Sequence, residues 1–137
     1  MEFSYCKLEI FVPESHLEQI RAALRSVDAG HIGNYDSCLS YHPVTGCWRP
    51  QEGTHPWLGQ AGALCTAPEL KVEVTCRAEQ AEAAIAAVKA AHPYEEPVIN
   101  AIPCGGRGCS LSPRLRLDGA AARGYDRGKE WKRRIPP

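Results

Sequence analysis

"YCKLEIFVPESHLEQIRAALRSVDAG", residues 5–30, passes from one periodicity to another at Pro13. In its first part Cys6, Leu8, Ile10 and Val12 alternate with Tyr5, Lys7, Glu9 and Phe11, the period of a strand buried on one face. After Pro13, Leu17, Ile20, Leu24 and Val27 recur at steps of three and four. That spacing puts them on one side of an amphipathic helix. Ser15 stands where an N-cap is expected, with Glu18 three positions on as its capping-box partner, and Gly30 follows the last apolar residue as the expected C-terminal stop. The stretch therefore predicts a strand feeding a helix.

The same pair of signals returns downstream. "ELKVEVTC" (69–76) alternates with Leu70, Val72, Val74 and Cys76 on one face, and "RAEQAEAAIAAVKAAH" (77–92) is built from strong helix formers. Ala81, Ala84, Ile85, Val88 and Ala91 make its apolar stripe. "HPYEEP" (92–97) stops that helix, because a proline disfavours helical backbone in the residue before it. "VINAIP" (98–103) reads as a last short strand. Between the two units, "YDSCLSYH" and "GCWRP" are strand-compatible pieces joined by "PVTG", predicting a hairpin or a looser ribbon. "RPQEGTHPWLGQAG" (49–62) predicts an ordered loop. The order strand, helix, strand pair, loop, strand, helix, strand predicts an α+β fold: a ferredoxin-like βαββαβ sandwich with an inserted β-ribbon or loop, both helices on one face of an antiparallel sheet.

The chain has 137 residues, the length of one domain. Its 16 basic and 16 acidic residues divide unevenly: 7 basic and 13 acidic lie in residues 1–103, against 9 basic and 3 acidic in residues 104–137. Residues 1–103 are expected to form the domain. Residues 104–137, with six of the twelve glycines and no periodic apolar pattern, are expected to be a basic, flexible tail. The run "KEWKRR" could touch nucleic acid, but a solvated tail is the simpler reading. The seven cysteines are odd in number and scattered, with no C-x-x-C pair, which argues against a disulfide framework or a zinc ribbon. Glu2, Lys7 and Glu9 do not fit a secretory segment, so the cytoplasm is the expected location. No apolar run approaches a membrane span.

Three loops carry the residues suited to chemistry. "GHIGNYDSC" (30–38) offers His31 between Gly30 and Gly33, then Asn34 and Tyr35; it can expose amides and an imidazole to an anion or metal, or it can simply be a helix stop followed by a turn. "HPYEEP" places His92, Tyr94, Glu95 and Glu96 within five residues. An imidazole with carboxylates can share a divalent ion, while two prolines and backbone-bonded carboxylates can equally make a rigid connector. "RPQEGTHPWLG" adds Arg49, Glu52, His55 and Trp57, with Trp48 just before it; the tryptophans can pack or cover a ligand. His31, His92 and Glu95 would give three metal ligands if the ends of the two helices meet at one edge of the sheet. Arg49, Glu52, Asn34, Tyr35, Tyr94 and Glu96 complete the candidate ligand-binding set.

"YCKLEIFVPESHLEQIRAAL", "DAGHIGNYDSC", "RPQEGTHPWLG" and "AAHPYEEPV", in this order, resemble the small domain inserted into many bacterial members of the Nif-three (YqfO-type) family, which also occurs as a short free-standing protein. The resemblance covers roughly residues 3–102. It implies a fold similar to CutA and PII signalling proteins, and "HPYEEP" also resembles the corresponding CutA loop. It further implies a homotrimer formed through sheets and ribbon. The metal-bearing domains of the larger family members have no counterpart in these residues. The expected function is a small oligomeric CutA/PII-like module that binds or senses a metal ion or small ligand and has no catalysis of its own. A purely structural or interaction domain, and a metal-dependent hydrolase of the Nif-three type, are the alternatives.

Overall fold

A computed structural model describes residues 3–105 of the chain. The expected tail, apart from Cys104 and Gly105, lies outside the described residues. Six regular elements follow one another: β1 (Tyr5–Val12), α1 (Leu17–Ser26), β2 (Leu39–Trp48), β3 (Cys65–Arg77), α2 (Ala81–Ala91) and β4 (Ile99–Cys104). The strands form one sheet in the order β2-β3-β1-β4, every neighbouring pair antiparallel. This is the expected ferredoxin-like arrangement.

The alternation read in β1 and β3 sets the layering. Cys6, Leu8, Ile10 and Val12 stand opposite Cys76, Val74, Val72 and Leu70 across the β1–β3 ladder. All eight are buried, together with Leu17, Ile20 and Leu24 of α1 and Ala84 and Val88 of α2. Both helices therefore cover the same sheet face. Each large apolar side chain removed from water here contributes about 1.5–3 kcal/mol. The opposite face is polar at its centre, where Lys7 lies 2.9 Å from Glu73 and Lys71 lies 3.0 Å from Glu9. Glu73 chiefly raises the Lys7 pKa, and Lys71 chiefly lowers that of Glu9.

The expected strand pair at 35–50 is a single ten-residue strand, β2, which pairs continuously with β3 from Leu39↔Val74 to Trp48↔Cys65. Pro43 does not interrupt it, because β2 is an edge strand whose outer side carries no ladder. β3 is longer than its alternating core suggests. Its segment from Cys65 to Glu69 extends past the end of β1 and pairs only with β2, which accommodates Pro68 and creates the ribbon.

The helix ends also differ in detail. A 3-10 turn, Glu14–His16, precedes α1, so its cap position falls to Pro13 and that of α1 to His16. Ser15 makes no cap; its hydroxyl lies 2.9 Å from His16 Nδ1. At the other end, Asp28 N–H bonds Arg25 O and Ala29 N–H bonds Leu24 O, each at 3.0 Å, the paired bonds of a Schellman motif. Asp28, at φ 59°, occupies the left-handed position expected of Gly30. Gly30 has a separate task. Its N–H reaches Thr75 O at 3.0 Å and its carbonyl accepts Cys38 N–H at 2.9 Å, and a Cβ there would lie 2.8 Å from Cys38 O. It lets the loop dock directly on the sheet.

Candidate functional site

Chain topology separates the two loops that were expected to meet. Gly30 docks beside Thr75, which is paired with Lys7, whereas His92 Nε2 lies 2.8 Å from Phe11 O. Lys7 and Phe11 are four residues apart on one strand, about 13 Å at strand rise. The end of α1 leads into β2, parallel to β1, while α2 leads into antiparallel β4, so the two helix ends fall at opposite ends of the sheet.

His31 bridges Asp28 Oδ1 at 2.7 Å and Gly33 O at 3.0 Å, using both ring nitrogens. Asp28 holds its pKa above the ordinary value, as a doubly protonated ring donating to two oxygens requires. Asn34 and Gly33 form the tip of a small turn closed by the Ile32–Tyr35 backbone pair, and the Tyr35 side chain is exposed. His92 is buried and also uses both nitrogens: Nε2–H donates to Phe11 O, and Nδ1 accepts the Tyr94 N–H at 3.1 Å. Burial pushes its pKa down, favouring the neutral ring that this pattern needs. His31, His92 and Glu95 are not assembled into a triad, and among the described residues no three His, Cys, Asp or Glu side chains are grouped to hold a metal ion.

A cavity of about 430 Å³ forms where the ribbon, the 49–64 loop and the "HPYEEP" connector converge. Arg49, Tyr94, Glu95 and Glu96 of the expected set line it, as do Trp48 and Trp57. His31, Asn34, Tyr35 and Glu52 do not. Tyr94 is the centre of its wall: its ring lies 5.6 Å from Trp48, 5.8 Å from Trp57 and 4.9 Å from His92, all tilted. Contacts of this kind contribute beyond the area that they bury.

Glu69 and Phe11 also line the cavity and were not singled out by sequence. Both read as ordinary members of alternating strands. Glu69 belongs to the part of β3 that runs past the end of β1, where Tyr94 Oη donates to its carboxylate at 2.7 Å. Glu69 is buried, and Gly46, paired with Ala67 and so diagonal to it across the ladder, makes room for it, since a Cβ at that position would collide with the carboxylate. Burial first, then the Glu69 hydrogen bond, raises the Tyr94 pKa well above the ordinary phenol value. Tyr94 thus stays a donor throughout the physiological range.

The 49–64 loop is held over this wall by specific bonds. Trp48 Nε1–H donates to Leu58 O at 3.1 Å, Gly62 N–H to Pro50 O at 2.8 Å, and His55 N–H to Glu95 Oε2 at 2.9 Å. Trp57 meets His16 edge-on at 5.7 Å. The result is a concave, mainly apolar surface that includes four aromatic rings and a few charged groups, the make-up of a small-molecule site.

No family model matches the chain. Its sequence is, however, 43% identical over 108 residues to the GTP cyclohydrolase 1 type 2 homolog of Halalkalibacterium halodurans, covering 79% of this chain and 29% of that protein. A Bacillus subtilis protein of the same name is 36% identical over 97 residues, covering 71% and 26% respectively. Among solved structures, a Bacillus cereus protein related to Nif-three superposes with TM-score 0.66 at 36% identity, over 77% of this chain and 27% of that one. The chain corresponds to one CutA-like domain of these Nif-three-related proteins. CutA from Archaeoglobus fulgidus matches with TM-score 0.56 at 24% identity over 77% of this chain and 88% of its own, a likeness of fold. This Nif-three-type chain spans between a quarter and a third of the length of these curated relatives. Among its described residues no helix is long and apolar enough to cross a membrane.

Proposed function

We propose that this Nif-three-type, CutA-like chain is a ligand-binding module without catalysis of its own, and that its site is the cavity walled by Trp48, Trp57 and Tyr94. The observation that carries this reading is the cavity itself: aromatic rings held in place by Glu69, His92 and the tied 49–64 loop leave about 430 Å³ of concave space. That size falls within the range of small-molecule pockets. A rigid aromatic wall that is not filled by the protein's own side chains favours a ligand over the purely structural reading.

Metal binding has the weaker support. The solved CutA proteins include one described as a divalent cation tolerance protein, from Thermus thermophilus. Here His31 and His92 have both ring nitrogens engaged, which leaves Glu95 and Glu96 of the cavity lining, with His55 Nδ1 3.8 Å from Glu95, as the donors most easily recruited. The hydrolase reading would need a ligand set of this kind and rests on the names of the longer relatives alone. The proposed assembly is a homotrimer. Support comes from the CutA-like build and from exposed Tyr41 on β2 and Ile102 on β4, which place apolar surface at both edges of the sheet. Edge-to-edge, head-to-tail contacts can close a ring.

Thermal shift of the full chain against small organic compounds and divalent ions tests the reading. Stabilisation that is lost in Trp57→Ala and kept in His31→Ala is expected. Stabilisation by divalent ions alone, lost in Glu95→Ala or Glu96→Ala, would replace it with the metal reading.

A further inference from the structure

The cavity has a charge pattern that narrows its ligand. Three carboxylates, Glu69, Glu95 and Glu96, line it against the one cation among the lining residues, Arg49. Glu69 is occupied by Tyr94 Oη and Glu95 by the His55 N–H, yet neither partner is a neutralising cation in contact: His55 Nδ1 stands 3.8 Å from Glu95 and is 91% exposed. Glu96 has no hydrogen-bond or ion-pair partner among the described residues. The rest of the wall is mainly apolar and includes the rings of Phe11, Trp48, Trp57 and Tyr94 beside aliphatic groups such as Val44, Leu58 and Val98.

Ring faces carry negative quadrupolar potential, and tryptophan presents the strongest of them to a cation. Rings and carboxylates here therefore act with the same sign. An anion would meet three carboxylates against one guanidinium on entering, and a bare divalent ion would find no grouped His, Cys, Asp or Glu set among the described residues. A neutral molecule would leave the charged rim unused. We infer that the cavity takes an organic ammonium ion, with its apolar body against Trp48, Trp57 and Tyr94 and its positive charge toward Glu96. The inference rests on the ligand-binding reading above and deepens it.

Cation–π attraction favours the cation, and a nearby carboxylate adds to it. A cation should consequently bind roughly tenfold more tightly than an uncharged molecule of the same shape. The test is calorimetric titration of the full chain with three probes: choline, its uncharged tert-butyl isostere, and a tert-butyl carboxylate of similar length. The expected order is cation, then neutral, then carboxylate, with Glu96→Gln weakening choline several-fold while leaving the neutral probe unchanged. Trp57→Ala should weaken choline and the neutral probe together. Equal or tighter binding of the neutral probe or the carboxylate would overturn the cation assignment while leaving a ligand site in place. Failure of all three, with other compounds still giving a Trp57-dependent thermal shift, would overturn it likewise. If no compound of any class shifts the protein, both readings fall.

Discussion

Tyr94 and Glu69, 25 positions apart in sequence, are joined by a 2.7 Å hydrogen bond that ties the connector after α2 to the ribbon of β3. The bond gives a buried carboxylate its partner and orients the ring around which both tryptophans are arranged. Through it, the second half of the chain sets the shape of a cavity whose outer wall is built by the first.

Tyr94→Phe keeps the ring and removes the donor. A buried acceptor left without its partner costs about 1–3 kcal/mol. The melting temperature should drop by roughly 4–8 °C for each kcal/mol in a domain of this size. Glu69→Gln retains an acceptor and should cost less. A Tyr94→Phe variant as stable as the parent would show that this bond does not hold the wall.

Two glycines with similar backbone angles should respond differently to alanine. Gly33, at φ 60°, has nothing within 4 Å of a built Cβ, so its cost is that of left-handed backbone alone, about 1 kcal/mol. Gly30, at φ 79°, would press its Cβ to 2.8 Å from Cys38 O and 3.1 Å from Val74. Gly30→Ala should cost about 2 kcal/mol or more, since steric displacement adds to the backbone term. Urea unfolding of both variants measures the difference, and equal losses would contradict direct docking of the loop on β3.

The two histidines should titrate on opposite sides of the ordinary value. Asp28 raises the His31 pKa, so the stabilisation that this pair provides is complete below the unfolded pKa and disappears as pH rises through the folded one. Burial lowers the His92 pKa. Its contribution is present above the unfolded value and is lost as pH falls through the folded one. NMR titration of the ring protons should place His31 above 6.5 and His92 below it, with Asp28→Asn bringing His31 down. A normal His92 titration would mean that the connector opens to water.

Glu95 holds the 49–64 loop through the His55 amide. In Glu95→Ala that amide should exchange with solvent several-fold faster, while exchange in β1 and β3 stays unchanged. Protection of His55 undiminished by the substitution would show that Trp48 and Gly62 suffice to hold the loop.

Sequence periodicity revealed the core because Leu8, Ile10, Leu70, Val72, Ile20 and Val88 each follow the spacing of their own element. It did so less well where a residue answers to a neighbour distant in the chain. Pro43 and Gly46 suggested a turn, but one lies on an outer edge and the other makes room for Glu69. Ser15 had the right type for a cap, yet the turn beginning after Pro13 displaced it. In the site, Arg49, Tyr94, Glu95 and Glu96 were legible as unusual residues on short, proline-marked loops. That they meet each other, and that His31 lies at the far end of the sheet, follows from the direction of β4 relative to β2, which no local pattern encodes.

On the proposed reading a ligand binds in the cavity around Tyr94 and not at the loop around His31. Two-dimensional NMR of the full chain during titration with choline tests it most directly. The account predicts saturable shifts of the Trp48 and Trp57 indole N–H signals and of the Tyr94, Glu95 and Glu96 amides, with residues 30–37 unmoved. Shifts confined to residues 30–37 would contradict it.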